Sequence, residues 1–447
     1  MTITRRFLDS IWDFSSREPG EQVIRQAKEC LIDYFACTFM GACQLGDKEE
    51  KWMDFLRLPR GRVSVIGLHR SCTCLEAALL NGMNAHNAEL DDGHRFAMIH
   101  LGAPVISALL AVGQDRDLNG RQLLKGLITS YEATVRLASA IQPWHKLKGY
   151  HTTATCTTVG TALGLAAAVG LPGDCWNAVI TAAATDAAGL LEAGDNGSEL
   201  KPYNAGRAAV AAINALRAGS LGLCGPPDIL GGPRGFFKAM AGEVKEDLLL
   251  HGTMPSYAIE GIYRKPYASC RHSHAPIEAA LILRGQHHPE PDRISSILID
   301  TYGLAVKGHD HTEVTSPALA KMSIPYGVAT AFVKGKVDYK QFEPDFWQDE
   351  PVLDLTARIQ VREDPVLSAQ APGKRAARVT LVMPEGSFTC QVDHPLGEPE
   401  NPMSKEMIEE KYHSMMEAAG VSPGTREEIL ACIYDIEGSF DRLKELI

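Results

Sequence analysis

Apolar residues recur at intervals of three and four over residues 21–41, where Val23, Ile24, Ala27, Cys30, Leu31, Tyr34 and Phe35 share a face. That is the period of an amphipathic helix packing one side inward. The same spacing returns over 75–88, 120–141, 152–171, 174–191 and 205–221, with an apolar run at 102–112. Gly, Pro, Asn and Asp separate these segments, and their Ala-rich faces suit close helix approach. The first half of the chain is therefore predicted to be nearly all helical. RVSVIG at 62–67 is too short for a helix and reads as an extended or hairpin-like interruption.

The pattern changes near Pro255. RISSILIDTY at 293–302, RIQV at 358–361 and RAARVTLVMPEGSFTCQV at 375–392 alternate in polarity, the last with a turn at 384–387. They predict a modest sheet with a helix at 276–284 beside it. After HPLGEPENPM the helical period resumes over 403–447. The expected fold is mainly α. Both chain ends, residues 1–262 and 398–447, would form a large all-helical domain, and 263–397 a smaller inserted α+β domain.

A chain of 447 residues with 45% hydrophobic content can bury two or three domain cores. Its formal net charge of -11, with no Lys/Arg block, argues against nucleic acid or an anionic membrane as the main partner. A local cationic pocket for a small anion stays compatible with that charge. No signal-like segment and no run of 18 apolar residues occurs, so a cytoplasmic location is expected. The 11 cysteines are scattered, many in helix-like apolar patterns, and are expected as reduced thiols. Cys72 and Cys74 have no second pair at zinc-site spacing. The glycines of 222–235 follow no strand, which sets aside a nucleotide loop.

Titratable residues gather in a few polar islands between these helices. Residues 84–105 (NAHNAELDDGHRFAMIHLGAPV) hold Glu89, Asp91, Asp92, His94, Arg95 and His100 between two apolar patterns, richer in such groups than a solvated loop. KLKGYHTTAT at 146–155 puts His151 at a helix entrance, and GDNGSELKPYNAGR at 194–207 puts Lys201 just ahead of another. A lysine beside a helix N-terminus suits an anion. YRKPYASCRHSH at 263–274 gathers Lys265, Cys270, Arg271, His272 and His274. Metal binding by Cys270, His272 and His274 would need a strand there, because residues two apart share a face on a strand and not on a helix. SIPY at 323–326 offers Tyr326, which as readily fills a core, and GHDH (His309, His311) reads as an exposed loop. Histidines with a lysine and a tyrosine suit proton transfer on a carboxylate substrate.

In this order the islands resemble the MmgE/PrpD family, which includes 2-methylcitrate dehydratase, cis-aconitate decarboxylase and iminodisuccinate epimerase. The resemblance rests on NAHNAELDDGH with HLGAPV, GYHTTATCTTVGTALGLAAAVGL, GSELKPYNAGRAA, KPYASCRHSHAPIEAAL, SIPYGVATAFVKG and GEPENPMSKE. It implies a helical domain with an α+β lid, a homodimer, and no metal or organic cofactor. It also implies that His100, His151, Lys201 and Tyr326 occupy active-site positions and that Asp91 and Asp92 form the acidic signature. The chain departs from the decarboxylases at Glu89, where they have aspartate, at Gly93, where they have threonine, and at Cys270, where they have a lid histidine. Asn204 stands where many relatives have histidine.

Residues and resemblance together lead to the expectation of a lyase acting on a small di- or tricarboxylate. One of His100 and His151 would be the base and the other the acid, Lys201 would hold developing negative charge, Tyr326 would donate a proton and Asp91 would orient a histidine. Glu89, Asp92, Lys265, Cys270, Arg271 and His274 are the expected substrate contacts. Epimerisation, cis-aconitate-type decarboxylation and a scaffold that binds without turnover are the alternatives.

Overall fold

The computed structural model describes residues 1–56, 61–194, 198–252, 257–343 and 345–447; the side chains of residues 49, 55 and 56 are also outside the description. Pro255 and the Asp195, Asn196 and Gly197 of the third island therefore lie outside the described residues. The chain is mainly α and divides into two compact units. Unit 1 comprises Met1–Ala193, Leu200–Ile262 and Ser404–Ile447; unit 2 comprises Tyr263–Met403 with the described part of Gly194–Glu199.

In unit 1 the helix Thr152–Ala168 is buried along its whole length. It lies against the helix Gly120–Ile141, which starts from a capping box of Asn119 and Gln122. Close approach depends on glycine: a Cβ on Gly160 would stand 1.9 Å from the Thr134 hydroxyl, and one on Gly164 1.8 Å from that of Ser130. The helices Cys74–Asn87 and Lys201–Ser220 touch in the same way, since a Cβ on Gly82 would lie 2.7 Å from the Gly206 Cα. These contacts set where His86, near the end of one helix, stands relative to Lys201, the first residue of the other.

Several elements differ from expectation. The first long helix runs Glu21–Leu56, past the end of its apolar stripe, because its distal half is polar and carries no facial signal. The segment expected to be helical to 191 ends at Asp186. Gly189 then takes φ +146°, and its carbonyl accepts from the His151 backbone N–H at 3.1 Å, so residues 187–190 run extended beside the His151 entrance. RVSVIG does form a hairpin, Val63–Val65 pairing antiparallel with Arg70–Cys72. His145 is buried, its ring between the Met240 carbonyl and the Thr155 hydroxyl, 3.1 and 2.8 Å away.

Unit 2 contains a four-stranded sheet in the order Ile359–Glu363, Ser296–Thr301, Ala377–Met383, Gly386–Val392. The first pair is parallel and the others antiparallel. The last hairpin turns on Pro384 and Glu385 alone, tighter than the pattern suggested. The helix His274–His287 packs on the last two strands. Residues 398–403, expected to rejoin the helical domain, stay with unit 2, where the Glu398 carboxylate is ion-paired with Arg271. No helix of the described residues is long and apolar enough to cross a membrane. Among the described residues no disulfide is formed.

Two outcomes follow from this packing. Gly206→Ala drives a methyl to 2.2 Å from the Leu79 carbonyl oxygen; overpacking of this kind costs about 1–3 kcal/mol, read as a lower denaturant midpoint. Burial lowers the His145 pKa to about 4, whereas an unfolded histidine titrates near 6.5. Above pH ~6.5 the residue is neutral in both states; below it the unfolded chain holds a proton that the fold refuses, so stability falls on acidification by up to about 1.4 kcal/mol per pH unit. Between pH 6.5 and 4 the wild-type unfolding midpoint should drop more steeply than that of His145→Gln, and the two curves should run parallel above.

Candidate functional site

His86 and His100 of the acidic island and His151 of the following helix entrance converge in unit 1. His86, in the last turn of the helix Cys74–Asn87, is fully buried and its Nδ1 lies 2.7 Å from Asp91 Oδ2. Its Nε2 is buried with no hydrogen-bond partner. His100 Nδ1 lies 2.7 Å from the Asp92 carbonyl and 3.6 Å from the same Asp91 oxygen. A carbonyl only accepts, so Nδ1 carries the proton and the neutral ring has its lone pair on Nε2. The His86 ring centre stands 5.1 Å from that of His100 and 6.2 Å from that of His151.

Loop and helix are tied so that these rings meet. The His100 backbone N–H donates to the Thr153 hydroxyl at 3.1 Å, and Thr153 sits in the first turn of the helix that His151 precedes. Gln142 donates to the Thr152 hydroxyl at 2.8 Å and to the Ala97 carbonyl at 3.4 Å. His151 itself occupies the N-cap position without a side-chain cap bond, and its Nδ1 is buried and unpartnered. Burial first, then the neighbouring charges of His86, Lys201 and His100, hold its pKa well below the usual histidine value, with Glu89 opposing. His151 is therefore neutral at pH 7.

Asp91 and Asp92, adjacent in sequence, face different tasks. Asp91 faces the two histidines. Asp92 turns into the fold: Oδ1 accepts from the backbone of Leu101 and Gly102 at 3.3 and 2.7 Å, and Oδ2 from the Tyr131 hydroxyl at 2.6 Å. Burial pushes its pKa up to about 6 despite these donors. It anchors the start of the helix Gly102–Asp115 and is not placed as the substrate contact expected from sequence. Glu89 sits just past the helix Cys74–Asn87 with φ +57°, a left-handed conformation that ordinarily favours glycine, and ion-pairs with Lys201. Beneath the loop the Lys411 ammonium donates to the Leu90 carbonyl at 2.7 Å and pairs with Asp33 at 2.6 Å.

In unit 2 the expected substrate contacts are mostly drawn inward. Arg271 is buried, its Nε and Nη2 donating to Glu398 at 3.1 and 2.9 Å and its Nη1 to His274 Nδ1 at 2.8 Å. His274 Nε2 in turn faces the Ser269 carbonyl at 3.3 Å. Lys265 is fully buried. Tyr326 packs against Phe342 and donates its hydroxyl to the Gln341 carbonyl at 2.8 Å, the setting of a core tyrosine. Cys270 is half-buried, with Sγ 3.9 Å from His309 Nε2. His272 does not share a strand face with His274, because residues 271–273 form a turn of 3-10 helix. His309, expected in an exposed loop, is half-buried and bonded to the Met322 carbonyl at 3.0 Å.

The residue that sequence reading passed over is His86. Its signal was present, a histidine five residues before Asp91 near the end of an apolar helix. Tyr131, Asp33 and Lys411 carried none, since each reaches the loop from far along the chain.

Comparison with known proteins agrees with this order of elements. Residues 6–248 match the MmgE/PrpD N-terminal domain and residues 267–435 the MmgE/PrpD C-terminal domain. Cis-aconitate decarboxylase of Aspergillus terreus is 26% identical over 451 residues, covering 95% of this chain and 90% of that protein. A cis-aconitate decarboxylase-like protein of Aspergillus oryzae is 25% identical over 378 residues, covering 79% of this chain and 78% of that protein. With both domains matched in order across most of its length, the chain belongs to the MmgE/PrpD family.

Proposed function

We propose that this protein is a lyase that removes a proton next to a carboxylate of a small di- or tricarboxylate and expels water from the neighbouring carbon, without a metal or organic cofactor. The observation that carries this reading is the group of His86, His100 and His151, the first two on Asp91 and the third beside them, in two electrostatic settings. His151, kept neutral by burial, enters the complex as a proton acceptor. A bound polycarboxylate brings negative charge to the ring and strengthens it as a base. The C–H electron pair becomes the new C=C bond as the C–O bond breaks, and the leaving hydroxide takes a proton from protonated His100. The Asp91 carboxylate and the Asp92 carbonyl, 3.6 and 2.7 Å from His100 Nδ1, balance the charge of that imidazolium.

Lys201 stabilises the enolate-like charge, with Glu89 holding its ammonium in place. His86, bonded to Asp91 and close to both other rings, carries the abstracted proton back to His100. The Arg271, Tyr326 and Asp92 side chains are committed to the interior and act as supports.

Decarboxylation is the second reading, favoured by the relatives named for cis-aconitate. It uses the same groups differently: carbon dioxide leaves, and a protonated histidine delivers a proton to carbon.

Two experiments test the site. His151→Ala should lower kcat by about 10²- to 10⁴-fold, the usual contribution of a positioned acid or base, with unchanged thermal unfolding; full activity would remove the residue from the mechanism. Incubation with a panel of di- and tricarboxylates, cis-aconitate included, in heavy water should give a new C=C absorbance without carbon dioxide. Release of carbon dioxide with solvent deuterium in the product would establish decarboxylation instead, and deuterium at the α-carbon with neither would establish epimerisation. Ligand-induced stabilisation without turnover across the panel would sink the catalytic reading.

A further inference from the structure

We propose that Cys270, His272 and His309 in unit 2 form a binding site for one soft divalent transition-metal ion of the zinc class. The inference is independent of the lyase reading. Each of the three residues is half-buried and offers a ligating atom within 4.8 Å of the other two. Cys270 Sγ and His309 Nε2 are 3.9 Å apart, and the His272 and His309 ring centres 5.0 Å. A tetrahedral zinc ion, with a Zn–S bond of about 2.3 Å and a Zn–N bond of about 2.0 Å, sets sulfur and nitrogen about 3.5 Å apart. Closing the Cys270–His309 gap takes a few tenths of an ångström (~0.4 Å), and bringing His272, within 4.8 Å of the other two, onto the same ion takes a rotation of its ring.

The surroundings hold these side chains in the orientation a ligand set needs. Two consecutive carbonyls do much of it: that of Lys321 accepts from the Cys270 backbone N–H at 2.8 Å, and that of Met322 faces His309 Nδ1 at 3.0 Å. Because a carbonyl only accepts, the His309 proton is on Nδ1, and the Nε2 lone pair faces the sulfur. Ligating histidines are commonly fixed by such a bond to a backbone carbonyl. The hydroxyl of buried Tyr302, 2.5 Å from His272 Nδ1, fixes the second ring. One thiolate and two imidazoles select zinc, cobalt or copper over magnesium or calcium, and three protein ligands leave a fourth position for water or a carboxylate oxygen.

Sequence spacing grouped His274 with Cys270 and His272. The fold replaces it with His309, 35 or more residues on, because Arg271 and the Ser269 carbonyl engage both His274 ring nitrogens.

The test uses the full-length protein, treated with chelator and then titrated with Co²⁺ alone. One equivalent should bind with a thiolate-to-cobalt charge-transfer band in the near ultraviolet. Cys270→Ser, nearly isosteric, should abolish the band, and His309→Gln should weaken binding by at least the ~10-fold typical of losing even a supporting hydrogen bond. Thermal unfolding of each metal-free variant checks that it is folded. His86→Ala should keep both band and stoichiometry, since the histidine–carboxylate cluster of unit 1 contains no sulfur and is not part of the proposed site. Absence of the band in the wild type, or its persistence in Cys270→Ser, overturns the proposal.

Discussion

The buried carboxylate of Asp92 is the contact on which the proposed acid–base cluster depends. Removing a carboxylate from water costs several kcal/mol unless donors replace the lost solvent. Here two backbone N–H groups at a helix start and a tyrosine hydroxyl do so. That bonding fixes the loop, and the fixed loop presents the Asp92 carbonyl to His100 and the next carboxylate, Asp91, to His86 and His100. Two adjacent acids thus divide the work, one holding the backbone and the other meeting the imidazoles.

Around that loop the environment distinguishes histidines that composition treats alike. His86 and His100 share a carboxylate oxygen, whereas His151 Nδ1 has no partner, and desolvation with nearby cations keeps it neutral. Such a separation of environments gives acid and base roles to chemically identical groups. Glu89 adds a related constraint. A glutamate in the left-handed region costs about 1–2 kcal/mol in backbone strain, and its side chain reaches Lys201, the first residue of the helix whose glycine contact with Cys74–Asn87 sets the spacing.

Unit 2 shows how a polar sequence can be mostly scaffold. Arg271 spends its guanidinium on Glu398, His274 and backbone carbonyls, joining YRKPYASCRHSH to the GEPENP segment. A buried arginine requires this, since each unpaired N–H would carry a desolvation cost. The same bonds that commit Arg271 and His274 to Glu398, to each other and to backbone carbonyls leave Cys270, His272 and His309 grouped together.

The sequence by itself determined the mainly helical character, the alternating strands and the island holding His86 to His100, because hydrophobic period and local titratable density are short-range properties. It also placed His151 and Lys201 at helix entrances through the small and polar residues that start helices. What it could not determine was which way a side chain points once the chain closes on itself. Asp91 and Asp92 read alike until Tyr131 and the helix at Gly102 take one of them. Arg271 reads as a carboxylate grip until Glu398, 127 residues on, pairs with it. His309 reads as loop until the Met322 carbonyl turns it toward Cys270. In each case the deciding partner is remote in sequence, and a buried polar group is assigned by whichever donors and acceptors the tertiary fold brings within hydrogen-bond distance.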